Sequence, residues 1–102
     1  MELKAGTRWK SAVCTAELVV VRAPSAAGEL ACGGAAVVPH TVDAAPSGAI
    51  SPDFAEGVLI GKRYMDETTG LEVLGAKPGK GSLSFEGRAL TLKDAKPLPA
   101  SD

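Results

Sequence analysis

No stretch of this 102-residue chain carries a helical pattern over ten residues. Its apolar runs are short and are closed by proline, glycine or small polar residues, which is the punctuation of strands and turns rather than of helices. The strongest run is Leu18-Val19-Val20-Val21, ended by Pro24 and the small residues behind it. A β-branched series of this kind favours the pleated backbone. Residues 25–28 then read as a turn, residues 29–34 as a short strand ending in two glycines, and residues 35–40 as a third strand closed by Pro39. A three-stranded unit over about residues 7–39 is predicted.

The second half resumes the same chemistry after an interruption. Residues 41–56 are rich in Ala, Pro, Ser and Gly and show neither period, so they read as a linker or long surface loop with Phe54 as its anchor. Two apolar runs then flank Glu67-Thr68-Thr69-Gly70, a turn signal that predicts a hairpin. In residues 82–92, Leu83 and Phe85 alternate with serines, Glu86-Gly87 forms a two-residue turn, and Leu90 and Leu92 alternate again. That pattern predicts a second hairpin with one buried face. Residues 93–102 read as a proline-broken, extended tail lying over an edge strand. The expected architecture is therefore mainly β, with little or no helix: a β unit over 1–40, a linker or long loop over 41–56, and an antiparallel β-hairpin lobe over 57–102.

Composition narrows the possible partners. The aromatic residues are Trp9, Phe54, Tyr64 and Phe85, so the core must come from Val, Leu and Ala. The net charge is −1, whereas nucleic acid or an anionic membrane calls for a basic face; neither is an expected partner. Residues 1–10 carry charge with no apolar run after them, unlike a secretory signal. No segment approaches the roughly 18 apolar residues of a membrane span. The expected compartment is a reducing cytoplasm.

The two cysteines, Cys14 and Cys32, carry the most specific pattern. Gly6-x-x-Trp9-Lys10 is followed by Ser11-x-x-Cys14, then by a valine-rich strand, then by Leu30-Ala31-Cys32-Gly33-Gly34. Over about residues 5–38 this series resembles the desulforedoxin and desulfoferrodoxin N-terminal family of rubredoxin-like metal knuckles. There a Gly-x-x-aromatic-Lys approach precedes a Cys-x-x-Cys knuckle, and a second knuckle holds two adjacent cysteines and a glycine. The resemblance implies a rubredoxin-like fold for this stretch, with Ser11 at the first ligand position, Cys14 at the second, Cys32 at the third and Gly33 at the fourth. Gly34 falls on the glycine that turns the second knuckle. Half of the family's ligand set is thus missing. A structural zinc or a rubredoxin-type iron takes four thiolate-class ligands; glycine donates nothing, and a serine hydroxyl is a hard, poor substitute.

Three readings of Cys14 and Cys32 stand open. They are buried thiols acting as small hydrophobes; or they form an intrachain disulfide, whose closure would contribute roughly 3 kcal/mol; or they supply half of a zinc or iron site completed by a second chain. Thiolates around one tetrahedral metal lie about 3.8 Å apart, close enough for a small movement to reach bonding distance. The single histidine, His40, begins the linker and reads as a solvated polar residue rather than a ligand. Ser11 lacks the setting of a nucleophile. Pro78-Gly79-Lys80-Gly81 lacks the spacing of a phosphate loop and reads as a turn with a solvated lysine. Asp66, Glu67 and Glu72 flank a turn and read as surface charge.

A metal-dependent unit of about 35 residues falls below the ~40 residues at which a chain ordinarily needs metal, disulfide or association to fold. Packing against the second half, or against another subunit, is the expected replacement for coordination. The function expected is that of a non-catalytic, cofactor-free β-rich interaction or accessory protein. Its partner is another protein or a second copy, met through exposed sheet edges. Redox or metal chemistry at Cys14 and Cys32, as a thiol switch or a shared zinc or iron site, is the alternative.

Overall fold

A computed structural model describes residues 2–43 and 45–93. Among them the chain is mainly β, as expected, and its one helical element is a 3-10 turn at Pro52–Phe54. The strands are β1 (Arg8–Lys10), β2 (Glu17–Arg22), β3 (Leu30–Cys32), β4 (Ala35–Ala36), β5 (Val38–Pro39), β6 (Arg63–Met65), β7 (Glu72–Lys77), β8 (Leu83–Phe85), β9 (Arg88–Ala89) and β10 (Thr91–Lys93). They form two antiparallel sheets, one ordered β10-β6-β7-β2-β1-β5 and the other β4-β3-β8-β9. No helix among the described residues is long and apolar enough to cross a membrane.

Both sheets draw strands from both halves of the sequence. The centre of the larger one is the β2–β7 pair, with Val20 opposite Val73 and Leu18 opposite Gly75. Alternation in β2 sends Leu18 and Val20 inward, where they are fully buried, and leaves Val21 exposed. β1 is half as long as β2 and covers one of its edges; β7 covers the other. The smaller sheet is centred on β3–β8, which sets Leu30 opposite Phe85 and Cys32 opposite Leu83. Phe85 is the largest fully buried side chain. Gly28, in the turn before β3, lies so close to it that a methyl group there would stand 2.5 Å from the ring. The stretch read as three strands over 7–39 therefore holds five, shared between the two sheets.

The hairpins pair where their sequence signals place them, with two departures in burial: Ser84, expected on the open face of β8, is buried like Leu83 and Phe85, and Leu92 leaves the face it was expected to share. β6 and β7 pair across the Glu67–Gly70 turn, as expected. β8 and β9 pair across Glu86-Gly87, and both turn residues have positive φ, 51° and 79°, the requirement of a tight two-residue hairpin. Leu90 then packs against the core. Leu92 does not share its face: it is 42 % exposed, because the chain crosses at Leu90 to the larger sheet and pairs β10 with β6. The expected tail falls, beyond Lys93, outside the described residues.

Two carboxylates read as surface charge are buried. Asp66 accepts from the Arg88 guanidinium twice, Nε to Oδ1 at 3.2 Å and Nη2 to Oδ2 at 3.0 Å. It also accepts from the Thr69 amide and hydroxyl. Glu72 accepts from Lys93 Nζ at 2.9 Å and lies 3.5 Å from Arg63. Their hydrogen-bonding cations, Arg88 and Lys93, stand 22 and 21 residues away in sequence, beyond a local reading of the turn. The pair Asp66–Arg88 ties the end of the β6–β7 hairpin to the other sheet.

Hydrogen bonding from Arg88 holds the Asp66 carboxyl at about 2, against the opposing push of burial. An unfolded aspartate titrates near ~3.9. The native state therefore favours the ionised form, a stabilisation present above pH ~4 and lost as pH falls toward 2. Urea midpoints of the parent and Asp66→Asn are expected to be well separated at pH 6 and to converge as the pH is lowered from 4 to 2.

Candidate thiol site

The loop between β1 and β2 is turned by a serine. Ser11 is buried, and its Oγ accepts from the amides of Val13 and Cys14, both at 3.1 Å. Its own amide donates to the Ala16 carbonyl at 2.9 Å. A hydroxyl binding backbone amides two and three residues on is a common local turn-maker. It aims the Cys14 side chain inward. The second sulfur arrives on the β3–β4 hairpin, whose turn residues Gly33 and Gly34 have φ of 66° and 87°. Those left-handed angles suit glycine at both positions.

Together the two loops place Cys14 Sγ 3.8 Å from Cys32 Sγ. Both are free thiols, 9 % and 0 % exposed. Sequence reasoning paired these residues, and the structure brings them together. It leaves His40 elsewhere: that ring is exposed, with Nδ1 3.2 Å from the Arg8 carbonyl oxygen.

A third segment completes the site, and it was read from sequence only as a solvated turn. Residues 78–82 cross over the sulfur pair. Thr15 Oγ1 donates to the Pro78 carbonyl at 2.8 Å, Gly33 N to the Ser82 carbonyl at 2.9 Å, and Ser82 N to the Phe54 carbonyl at 2.8 Å. Cys32 Sγ donates to the Gly81 carbonyl at 3.5 Å. A methyl group on Gly79 would stand 2.8 Å from Cys14 Sγ; one on Gly81 would stand 3.3 Å from Cys32 Sγ and 2.8 Å from Gly33 Cα. Lys80 between them is exposed. The signal that was present is the two glycines, Gly79 and Gly81, which bring no side chain to the close approach.

The linker closes the remaining side. Ser47 N donates to the Ala12 carbonyl and Ser51 N to the Gly33 carbonyl, which fastens residues 47–51 to both cysteine loops. Ile50 packs against the core. Phe54, the expected anchor, is only half-buried and contributes its backbone carbonyl to Ser82.

The sulfur separation equals the edge of a tetrahedral tetrathiolate, about 3.8 Å for metal–sulfur bonds of ~2.3 Å, so the two thiols could serve as half of such a set. The other two positions do not fit it. Ser11 Oγ is engaged by backbone amides, and Gly33 lies against Gly81. Among the described residues, no group of three or more His, Cys, Asp and Glu side chains stands together. On one side Cys32 is covered by Gly81, whose carbonyl accepts from its Sγ.

The two thiols differ in acidity. Burial pushes Cys32 up to about 12, and the neighbouring Cys14 adds to the rise. At Cys14 burial acts in the same upward sense. The Ser11 hydroxyl, then the Ala16 and Gly81 backbone and the Cys32 thiol, outweigh it and bring Cys14 below the ordinary thiol value. Cys14 also lines a cavity of about 210 Å³ with Lys10, Ser11, Glu17, Pro46 and Lys77. The pair is therefore asymmetric: Cys14 is shifted toward ionisation and borders the cavity, whereas Cys32 is shifted away from it and fully enclosed.

Forcing a methyl group into the loop tests how closely it covers the sulfurs. Gly81→Ala is expected to destabilise the fold by about 1–3 kcal/mol in urea unfolding, and to speed modification of Cys32 by a thiol reagent under native conditions. Compared with known proteins, the chain matches no family model, no curated protein and no solved structure.

Proposed function

We propose that this chain is a non-catalytic, β-rich accessory module, derived from a rubredoxin-like knuckle, in which protein contact has replaced the metal. The observation that carries this reading is the seating of residues 78–82 directly on both sulfurs. The backbone there fills space that a coordinating side chain would need. The module works in the cytoplasm, where its thiols stay reduced at rest, and it acts by binding another protein or a second copy of itself. Leu59 and Ile60, 56 % and 63 % exposed at the turn before β6, supply the apolar contact for that association. Among the described residues the strands on the sheet margins are two or three residues long, so the exposed edges add to this contact rather than replace it.

Two measurements test the reading. Native mass spectrometry of protein purified with zinc and iron present is expected to show no stoichiometric metal, and the unfolding midpoint to be insensitive to a chelator. One metal per two chains would overturn it. Sedimentation equilibrium is expected to show self-association that Leu59→Ser with Ile60→Ser abolishes. A chain that stays monomeric and retains no protein from its host would remove the interaction role.

The 3.8 Å sulfur separation favours a second reading, a dithiol that closes reversibly. Disulfide bonding needs a sulfur–sulfur distance near ~2.05 Å, a closure of less than 2 Å shared by two side chains. Intact mass after mild oxidation is expected to fall by about two hydrogens for each disulfide.

A further inference from the structure

The cavity over Cys14 gives that second reading a direction and a substrate. Of the two cysteines only Cys14, 9 % exposed, is among its lining residues, whereas Cys32 has no exposed surface. Lys10 and Lys77 are among its lining residues, and Glu17 is the one acidic residue among them, 3.6 Å from Lys77 Nζ. Two cationic side chains and one acidic one thus border the opening. The volume, about 210 Å³, is several times the ~30 Å³ share of a water molecule and suits one small half of a disulfide rather than a protein loop.

We propose that this cavity is a thiol-exchange site for small anionic disulfides, with Cys14 as the attacking sulfur and Cys32 as the resolving one. The proposal rests on the reading of the pair as a closable dithiol. Cys14, having given up its proton, attacks one sulfur of a disulfide RSSR. The Cys14–SR bond forms, the RS–SR bond breaks, and the released RS⁻ takes up that proton as RSH. Cys32 then attacks Cys14 Sγ from 3.8 Å away. The Cys14–Cys32 bond forms, the Cys14–SR bond breaks, and the proton leaving Cys32 accompanies the second RSH. Two electrons pass from the pair to the external disulfide, and the reverse sequence returns them.

Local geometry supports each role. Only a thiolate is nucleophilic in this exchange; burial opposes ionisation of Cys14, but the hydrogen-bonding surroundings of that residue, Ser11 foremost, outweigh it and bring its thiol below the ordinary value. Cys32 holds its proton toward the Gly81 carbonyl until attack. The 78–82 loop thus contacts both sulfurs and keeps bulk solvent from the resolving one.

The test uses the reduced full chain with oxidised glutathione as the anionic probe and cystamine as a cationic one. Cys32→Ser is expected to trap one glutathione on Cys14, seen by intact mass, and Cys14→Ser to trap none. The parent is expected to release two equivalents of glutathione and finish without an adduct. Lys10→Gln with Lys77→Gln is expected to slow the glutathione reaction roughly threefold to tenfold while leaving cystamine unaffected or faster. An adduct forming as readily on Cys14→Ser would overturn the assignment, as would equal rates for the two probes at low salt. Should Cys32→Ser fail to fold, the two-equivalent release by the parent and the Lys10 and Lys77 comparison decide the matter. Diamide oxidation of the parent separates the two levels. Closure by diamide without any reaction with glutathione refutes the exchange site alone; no closure by either refutes the dithiol reading as well.

Discussion

The close approach of residues 78–82 to the two cysteine loops organises much of this molecule. Gly79 touches the first loop and exchanges backbone hydrogen bonds with Val58; Gly81 touches the second, and its neighbour Ser82 accepts from Gly33 and donates to Phe54. Those contacts join the larger sheet, which enters the segment through β7, to the smaller one, which leaves it through β8. Side chains could not make so short a connection: each added atom would push the sheets apart, and densely packed interiors transmit such displacement rather than absorb it. The sulfur atoms lie where the two loops and this strap converge. Their separation is thus a property of the whole fold rather than of either loop.

A second tie runs at the other end. Asp66 and Arg88 connect one hairpin to the other, and Glu72 with Lys93 and Arg63 fixes β10 along β6. Buried carboxylates are costly to desolvate and persist when several donors meet them. Here each has a cation from a distant strand, and Asp66 also has the amide and hydroxyl of its own turn. These pairs specify which hairpin lies against which. An apolar contact alone would leave that choice more open.

Much of this was legible in the sequence because it is local. The alternation of Leu83 and Phe85, the Glu86-Gly87 turn and the valine run at 19–21 depend on neighbours within a few residues, and each became the element expected. The closeness of Cys14 to Cys32 was an expectation carried by the family resemblance, and the structure places their sulfurs 3.8 Å apart. What escaped depends on contacts across the chain. Nothing near Asp66 announces Arg88, and nothing near Cys14 announces Gly79. Leu92 keeps the rhythm of the hairpin before it but leaves that hairpin, because its backbone finds β6 instead. The cavity beside Cys14 combines Lys10 from β1 with Lys77 from β7, a juxtaposition that exists only once the larger sheet has formed.

The pairing of β2 with β7 bears on how the chain is made. Glu17 meets Lys77 across the sheet, so the first long strand must wait for the second to be synthesised before it gains its main neighbour. Ribosomes add ~5–20 residues each second, which leaves that interval at several seconds. Topologies dominated by such distant pairings also fold slowly once complete. Throughout that time both cysteines are open to oxidants and to other nascent thiols. Until β7 is in place, the cover that residues 78–82 give the two sulfurs does not exist.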